Sequence, residues 1–524
     1  MTKAFIIFLL VGAILWTVPV LGRGYVCAEG GGYPGDRAWT AAVFGWMAEK
    51  ADHGHALVIG TAASGSAAVE AFRRAGAASA GYRRILSVDA DSAAVYAAIT
   101  AADIVWILGG DQWEYIAAWN DTRTETAIRE VYERGGVVGG TSAGLHVLGE
   151  IIYDARYGSL SPREALRDPF HPDISFTEDF LSLLPGVLLD SHFTERGRLG
   201  RLAVMLARLR YDKTGDVLAI GVDDRTALCV DPDLTAVVRG EGAVTFLHAS
   251  ADTQIDLCAD QPAVATALCH DQLTEGYRYD LTTRRVVARP AGAEPAPPPG
   301  DPPDFQAGQL DGSSDSHRRQ GEVWVDDNGD PSALFYGALR LQDGDGILAR
   351  TVVSTRTWES TDFDENNVGG VQYALTFHPH WLGVYLDSGV RTETFPTNRI
   401  RVATPAGTEP ESSLVVLDAY GMSSSARSDY ISADQSVGPR QSSALEGATL
   451  HLLRQGWRYD AMNHCVREPR SAEDLNQDAC IGAADLGIVL SRWGTVAMPD
   501  LDGDGEWGWG DLAMLVAIWE PYCR

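Results

Sequence analysis

Between residues 24 and 144 short apolar runs alternate with longer amphipathic stretches. The runs at 25–28, 56–60, 85–88, 104–108 and 136–140 read as strands, and the segments at 37–50, 66–75, 91–101 and 122–134 have helical length and propensity. Repeated strand and helix in this order predict an α/β domain, a doubly wound parallel sheet with helices on both faces. The pattern continues more loosely through strands at 187–189, 218–222 and 227–230 and a helix at 199–210, interrupted by an insertion at 153–179. The run Glu294-Pro-Ala-Pro-Pro-Pro-Gly-Asp-Pro-Pro cannot form helix or sheet interior and reads as a semi-rigid linker. Beyond it, residues 320–468 are rich in Val, Thr, Tyr and Gly in short alternating runs and predict a mostly β domain.

At 524 residues the chain exceeds what one core usually serves, which agrees with several units. The expected division is 1–22, 23–290, 291–319 as linker, 320–468, and an acidic tail at 471–524. Gly276-Tyr-Arg-Tyr-Asp280 and Gly456-Trp-Arg-Tyr-Asp460 are alike, so each could close a globular unit. The formal net charge of −29 argues against a nucleic-acid partner, because phosphate neutralisation needs clustered Lys and Arg. Lys3, the apolar run 4–21 and Val20-Leu21-Gly22 read as a signal peptide over 1–22, which implies a secreted, periplasmic or cell-surface protein. A retained anchor is the alternative. Seven cysteines in an exported chain allow disulfides, with Cys258–Cys269 and Cys480–Cys523 as the pairs to test.

Gly140-Thr-Ser-Ala-Gly144 follows an apolar strand and precedes a helix expected to begin near Ala143, the setting of a nucleophile elbow with Ser142 at its tip. Serine needs a base and usually an orienting carboxylate. His192, in Asp190-Ser-His-Phe193 directly after a strand, is the candidate base; Asp223 and Asp224 follow the strand at 218–222. Consecutive residues at a strand end point to opposite sides, so one of these two reaches His192. The order serine, histidine, acid differs from that of α/β-hydrolases.

Leu108-Gly-Gly-Asp-Gln112, Gly140-Thr-Ser-Ala-Gly144, Asp190-Ser-His-Phe193 with Arg196, Arg198 and Arg201, and Gly221-Val-Asp-Asp-Arg-Thr-Ala227 resemble, in order, the motifs of cyanophycinases and aspartyl dipeptidases, serine peptidase family S51. The resemblance spans about residues 24–250. It implies a class I glutamine amidotransferase-like fold with serine in place of that fold's usual cysteine. It further implies Ser142 as nucleophile, His192 as general base and Asp224 as the acid, with oxyanion amides from Gly110 and Ala143. Gln112, Asp190, Arg196, Arg198 and Arg201 match positions that hold substrate or shape the pocket, and no cofactor for catalysis is implied. Ser191 stands where cyanophycinases commonly have glutamine and Asp224 where they commonly have glutamate. A peptide or cyanophycin-like substrate is expected, and a homodimer is left open.

In the tail, Asp474-x-Asn476-x-Asp478 with Asp485 repeats as Asp500-x-Asp502-x-Asp504 with Asp511. Oxygen ligands at loop positions 1, 3, 5 and 12 suit calcium, and each loop leads into an apolar helix, Leu486 to Trp493 and Leu512 to Trp519, so a small all-α calcium-binding module is expected. The pair resembles a dockerin, which implies two Ca2+ sites and a cohesin-like or cell-surface receptor. Two other readings compete with the peptidase: a different serine hydrolase such as an esterase, and a catalytically silent surface protein that binds through its β domain and tail.

Overall fold

The computed structural model describes residues 23–35, 38–212, 215–300, 303–359, 365–403, 412–430, 440–468, 483–491, 493 and 508–517. The amino-terminal part alternates strand and helix. β1 (Tyr25–Glu29), α1 (Ala38–Lys50), β2 (His55–Gly60), α2 (Ser66–Arg74), β3 (Ser79–Arg84), α3 (Ala93–Thr100), β4 (Ile104–Ile107), α4 (Gln112–Trp119), α5 (Arg123–Glu133) and β5 (Val137–Thr141) lead into the short α6 (Ala143–His146). β1, β5, β4, β2 and β3 lie side by side and parallel. Their alternate residues feed two cores. Ala56, Val58, Ile104 and Trp106 join α1 and α2, where Phe44 and Phe72 meet Trp106. Leu57, Ile59, Val105 and Ile107 join α3, α4 and α5 around Val95, Tyr115, Trp119 and Ile128. Burial of both faces is why these strands read as continuous apolar runs.

The strand expected at 85–88 is instead β3, just upstream. β3 is a half-exposed edge that among the described residues pairs only with β2, so its residues are largely polar and small and carry no apolar signal. Ile85 beyond it is fully buried in a loop, and Val88 is exposed.

A second sheet begins with β6 (Gly149–Tyr153), and the insertion adds α7 (Pro162–Arg167) and β7 (Phe176–Thr177). A capping box between Ser161 and Glu164, with Pro162 at the first turn, starts α7. Then come β8 (Leu184–Asp190), α8 (Leu199–Tyr211), β9 (Leu218–Val222), β10 (Thr226–Val230), β11 (Thr235–Gly240), the long hairpin β12 (Ala243–Asp256) and β13 (Val264–Thr274), and β14 (Arg278–Asp280) with β15 (Arg285–Ala288). β10, β11, β14 and β15 extend the first sheet beyond β1 in antiparallel fashion, so that sheet is mixed, whereas the sequence predicts a parallel one.

The second half contributes β16 (Glu294–Pro295), β17 (Gly308–Asp311), β18 (Gly321–Asp326), β19 (Arg340–Asp343), β20 (Leu348–Ser354), α9 (Glu365–Phe377), β21 (Leu382–Tyr385), β22 (Arg391–Phe395), β23 (Arg399–Ala403), β24 (Leu414–Asp418), β25 (Ser424–Tyr430), β26 (Arg440–Leu453), β27 (Arg458–Asp460) and β28 (Cys465–Arg467). It does not stand apart as a separate β domain behind a linker. β26 pairs with β13, so one sheet runs β19-β18-β20-β21-β24-β26-β13-β12-β9-β8-β6-β7 through both halves. β16, within the expected linker, pairs with β25, and Arg289 bonds Glu446. The segment is rich in strands as expected, but β18, β20 and β21 are parallel and α9 crosses between the last two.

α10 (Ala483–Ser491) and α11 (Trp509–Ala517) form the tail, with Trp493 edge-on to Trp509 at 5.1 Å. Among the described residues no helix is long and apolar enough to cross a membrane. The signal segment 1–22 and the Cys480–Cys523 pair lie outside the described residues. Cys258 and Cys269 are both free thiols, so that expected disulfide is not formed.

Candidate active site

The turn after β5 is tight because two glycines let backbones approach. A Cβ on Gly140 would stand 2.2 Å from the Gly144 carbonyl oxygen, and one on Gly144 would stand 2.3 Å from that of Ile107. Between them Ser142 takes φ 53° and ψ −117°, a conformation that costs a non-glycine residue roughly 1–3 kcal/mol. The Glu29 carbonyl helps to hold it, accepting the Ser142 N–H at 3.1 Å. The rest is done across the two sheets, since β5 belongs to the first and β8 and β9 are parallel neighbours in the second. Ser142 follows β5, His192 follows β8 and Asp224 follows β9, and these carboxyl ends converge.

Ser142 Oγ lies 2.7 Å from His192 Nε2, and His192 Nδ1 lies 2.5 Å from Asp224 Oδ1. With the Nδ1 proton donated to Asp224, Nε2 is free to accept the serine proton, the arrangement that activates a hydroxyl. Asp223 faces the other way. Its Oδ1 accepts from Thr194 N–H at 3.0 Å, and its Oδ2 accepts from Ala243 N–H at 2.9 Å and Arg440 Nη2 at 3.0 Å.

Ser142 and His192 border a cleft of about 350 Å³, with Asp224 behind the imidazole. The amides of Gly110 and Ala143 line it and have no hydrogen-bond partner among the described residues. Gln112, on the rim, donates Nε2 to the Tyr153 carbonyl at 3.1 Å. Arg196 is half-buried on the cleft wall, and its guanidinium makes no hydrogen bond or ion pair among the described residues. The insertion adds Ala155, Gly158 and Ser159 to the lining.

Asp190, Arg198 and Arg201 shape the pocket floor. Asp190 is fully buried and lines no part of the cleft. Arg201 grips it through Nε at 3.0 Å and through Nη2, gives Nη1 to the Leu160 carbonyl, and lies over the Tyr153 ring. Arg198 Nη1 reaches Asp190 Oδ1 at 3.2 Å and the Ser191 carbonyl at 2.6 Å. Two guanidinium groups thus share one carboxylate, and the pocket keeps a positive balance that Arg196 increases. Desolvation alone would raise the Asp190 carboxyl, but Arg201 and Arg198 outweigh it and hold its pKa at about 2. Burial lowers Arg198 to about 9, with Arg201 beside it adding to the fall.

Sequence reading missed three residues here. Gly31 is one: a Cβ on it would meet His192 Cε1 at 2.3 Å and Asp224 Oδ1 at 2.4 Å, so the glycine run after β1 makes room for the imidazole–carboxylate pair. Glu29 is another. It is buried beside the triad, and burial, with the Asp224 charge adding, pushes its carboxyl well above the usual range. This disfavours a second negative charge next to Asp224. His146, at the end of α6, lines the cleft and places Nε2 3.1 Å from Ser191 Oγ.

Desolvation lowers His146 to about 3, with Arg201 and Arg198 helping and Asp190 opposing. An unfolded histidine titrates near 6.5, so the unfolded chain takes up the proton first as pH falls. Stability is therefore lost progressively from about pH 6.5 down to about 3, with a shift of this direction contributing on the order of a few kcal/mol. His146→Gln should flatten the fall of the thermal midpoint between pH 7 and pH 4. Calorimetric scans with the same slope for both proteins would contradict this.

Among the described residues no group of three or more His, Cys, Asp or Glu could hold a metal. Of the expected calcium ligands, Asp474, Asn476, Asp478, Asp500, Asp502 and Asp504 lie outside the described residues, while Asp485 and Asp511 fall on α10 and α11.

An elbow serine, an imidazole and a carboxylate drawn from three strand ends in that chain order are the features against which known proteins can be compared. Residues 55–237 match peptidase family S51. The matched S51 segment contains Ser142, His192 and Asp224. The chain is 29% identical over 202 residues to a cyanophycinase of Synechococcus elongatus, covering 38% of this chain and 59% of the relative. It is 30% identical over 202 residues to a cyanophycinase of Trichormus variabilis, covering 38% of this chain and 63% of the relative. The chain thus spans about three-fifths of the length of the curated relatives it matches. A solved peptidase from an acI-B1 Actinobacterium aligns with a TM-score of 0.33 at 18% identity over 50% of this chain and 98% of that one.

Proposed function

We propose that the S51 segment makes this protein a serine peptidase of the cyanophycinase type, hydrolysing β-aspartyl or aspartyl peptide bonds. The observation that carries the reading is the chain of short contacts from Ser142 Oγ through His192 to Asp224 at the mouth of a cationic cleft. Ser142 Oγ attacks the scissile carbonyl carbon and its proton passes to His192 Nε2, while Asp224 holds the Nδ1 proton and stabilises the imidazolium. The oxyanion that forms is met by the amides of Gly110 and Ala143. The carbon–nitrogen bond then breaks as His192 returns the proton to the leaving amine, and water repeats the sequence to release the acid and free Ser142. Arg196 supplies the fork that suits a substrate carboxylate. Hydrolysis of cyanophycin, β-Asp-Arg, Asp-X dipeptides and simple esters, compared in one screen, tests this. Turnover of esters alone would replace the peptidase by an esterase, and no turnover of any would leave a silent binding protein.

The same reading includes export through residues 1–22 and a dockerin-like calcium module at 471–524 that docks to a cohesin-like or cell-surface receptor. Its donor set, carboxylates and one carboxamide at matched spacing, fits a hard cation. Calorimetric titration of the full chain should show two equivalents of calcium bound, and a chelator should leave turnover unchanged, because a serine triad needs no metal. No heat of calcium binding would remove the module from the proposal.

A further inference from the structure

The two alike pentapeptides mark more than similar endings. β14 and β27 each carry the Arg-Tyr-Asp of their pentapeptide, and each pairs in the same register: Tyr279 opposite Ala236 on β11, Tyr459 opposite Ile400 on β23. β10, β11, β14 and β15 lie beside β1 in the order in which β22, β23, β27 and β28 lie beside β17. β6, β8, β9, β12 and β13 are ordered as β18, β20, β21, β24 and β26 are, with the same parallel and antiparallel senses. α8 and α9 cross between equivalent strands.

The left-handed backbone positions correspond too. Gly186, His192, Arg225 and Leu234 match Arg350, Arg356, Gly389 and Asn398 at one constant spacing, and Ala267, Gly276 and Arg284 match Gly447, Gly456 and His464 at another. A left-handed residue that is not glycine is uncommon, so this repetition does not come from generic β structure. Across the junction, Cys269 faces Thr449, Leu268 faces Leu450 and His270 faces Ala448. Each copy thereby presents the same strand to the other, as two subunits do about a two-fold axis.

Among its described residues the second copy carries no catalytic set at the equivalent positions. His192 N–H donates to the Gly30 carbonyl and Phe193 N–H to Val222, while Arg356 N–H donates to Gly312 and Thr357 N–H to Leu386. Arg356 therefore stands where His192 does and Ser388 where Asp224 does, and residues 312–320 replace the whole stretch that holds the elbow. What it keeps is a grip on the first copy. Arg440 of β26 is buried with Nη1 2.6 Å from Glu195 and Nη2 3.0 Å from Asp223. Glu195 lies on the turn after His192, and Asp223 is adjacent to Asp224, so one cation ties together the two loops whose spacing sets the His192–Asp224 contact. Trp358 Nε1 donates to the Gly197 carbonyl on the same turn at 2.8 Å. Asp387, the counterpart of Asp223, is gripped in return by Arg163 of the first copy at 2.6 and 2.7 Å.

We infer that residues 305–468 are a degenerate second copy that occupies the place of a partner subunit, and that its Arg440 and Trp358 are positioning residues for the site of the first. The positioning role rests on the serine-peptidase reading above. In the full chain, the rate at which a fluorophosphonate labels Ser142 is measured from pH 5 to pH 9 for Arg440→Met, Arg440→Lys and Trp358→Phe, with near-ultraviolet circular dichroism as the check of folding. Arg440→Met should slow labelling at least tenfold and displace the pH profile, Arg440→Lys should recover part of the rate, and Trp358→Phe should slow it severalfold. Folded variants that all label at the unaltered rate with an unshifted profile would overturn the inference. Should Arg440→Met fail to fold, Arg440→Lys and Trp358→Phe, which keep the charge and most of the volume, decide it alone. An unaltered protein that does not label at Ser142 would instead overturn the serine-peptidase reading, and the positioning role with it.

Discussion

Ser142→Ala should reduce turnover at least about a thousandfold while shifting the thermal midpoint by no more than about 1 °C. The substitution removes one hydroxyl at a cleft edge, and the alanine takes the same φ of 53° at a cost like that of the serine it replaces. Members of a triad act as a unit, so His192→Ala should cost as much and the double variant scarcely more. Asp224→Asn should cost about 10⁴-fold, because an amide in place of the carboxylate favours the wrong imidazole tautomer. Asp223→Asn behaves differently. That carboxylate accepts two backbone amides and Arg440, so its loss shows first as lower stability. Steady-state rates and calorimetric midpoints on the four single variants check the set. Most of the activity surviving in Ser142→Ala would remove serine from the chemistry.

The second large effect is expected at Asp190. Replacing it by asparagine leaves Arg198 and Arg201 buried with no countercharge, which costs about 3–5 kcal/mol. The midpoint should fall on the order of 10 °C, and activity should fall with it as the pocket floor relaxes. The pH dependence follows from the direction of its shift. A folded pKa of about 2 against an unfolded value near 3.9 means that this stabilisation is complete above about pH 4. It is lost as pH falls from there through about 2. Asp190→Asn should therefore lack the acid-dependent part of the loss that the unaltered protein shows in that window. A variant with an unchanged midpoint would show that the paired arginines find compensation elsewhere.

Much of the site was legible because its residues sit at ends of apolar strands. Ser142, His192 and Asp224 each follow a run with a buried, uninterrupted pattern; parallel pairing of β8 and β9 brings the last two together, and the meeting with Ser142 at the end of β5 is made between the two sheets. The roles of Asp190, Arg198 and Arg201 were not legible in the same way. A helix-face arginine looks alike whether it binds substrate or is locked to a buried aspartate, and only the burial of Asp190 separates the two. His146 gave no signal, since a histidine within four residues of an elbow has no period or spacing to mark it. β3 was misplaced because an edge strand needs no apolar run. The integration of residues 320–468 was hidden for a different reason: the proline-rich segment speaks about local backbone, whereas the β13–β26 pairing joins residues far apart in sequence. The one clue to the second half was a five-residue likeness, too short by itself to imply a shared plan.

The β13–β26 junction also bears on how the protein is made. A chain synthesised from its amino terminus completes Val264–Thr274 well before Arg440–Leu453 exists, and at about 5–20 residues per second the interval is on the order of ten seconds or more. Throughout it β13 presents an open row of backbone donors and acceptors with apolar side chains on both sides, the feature that invites pairing between neighbouring chains on crowded polysomes. A chain ended near residue 290 would keep that row for its lifetime, and its fate in the cell would be set by chaperone capture and precipitation rather than by the quality of its triad.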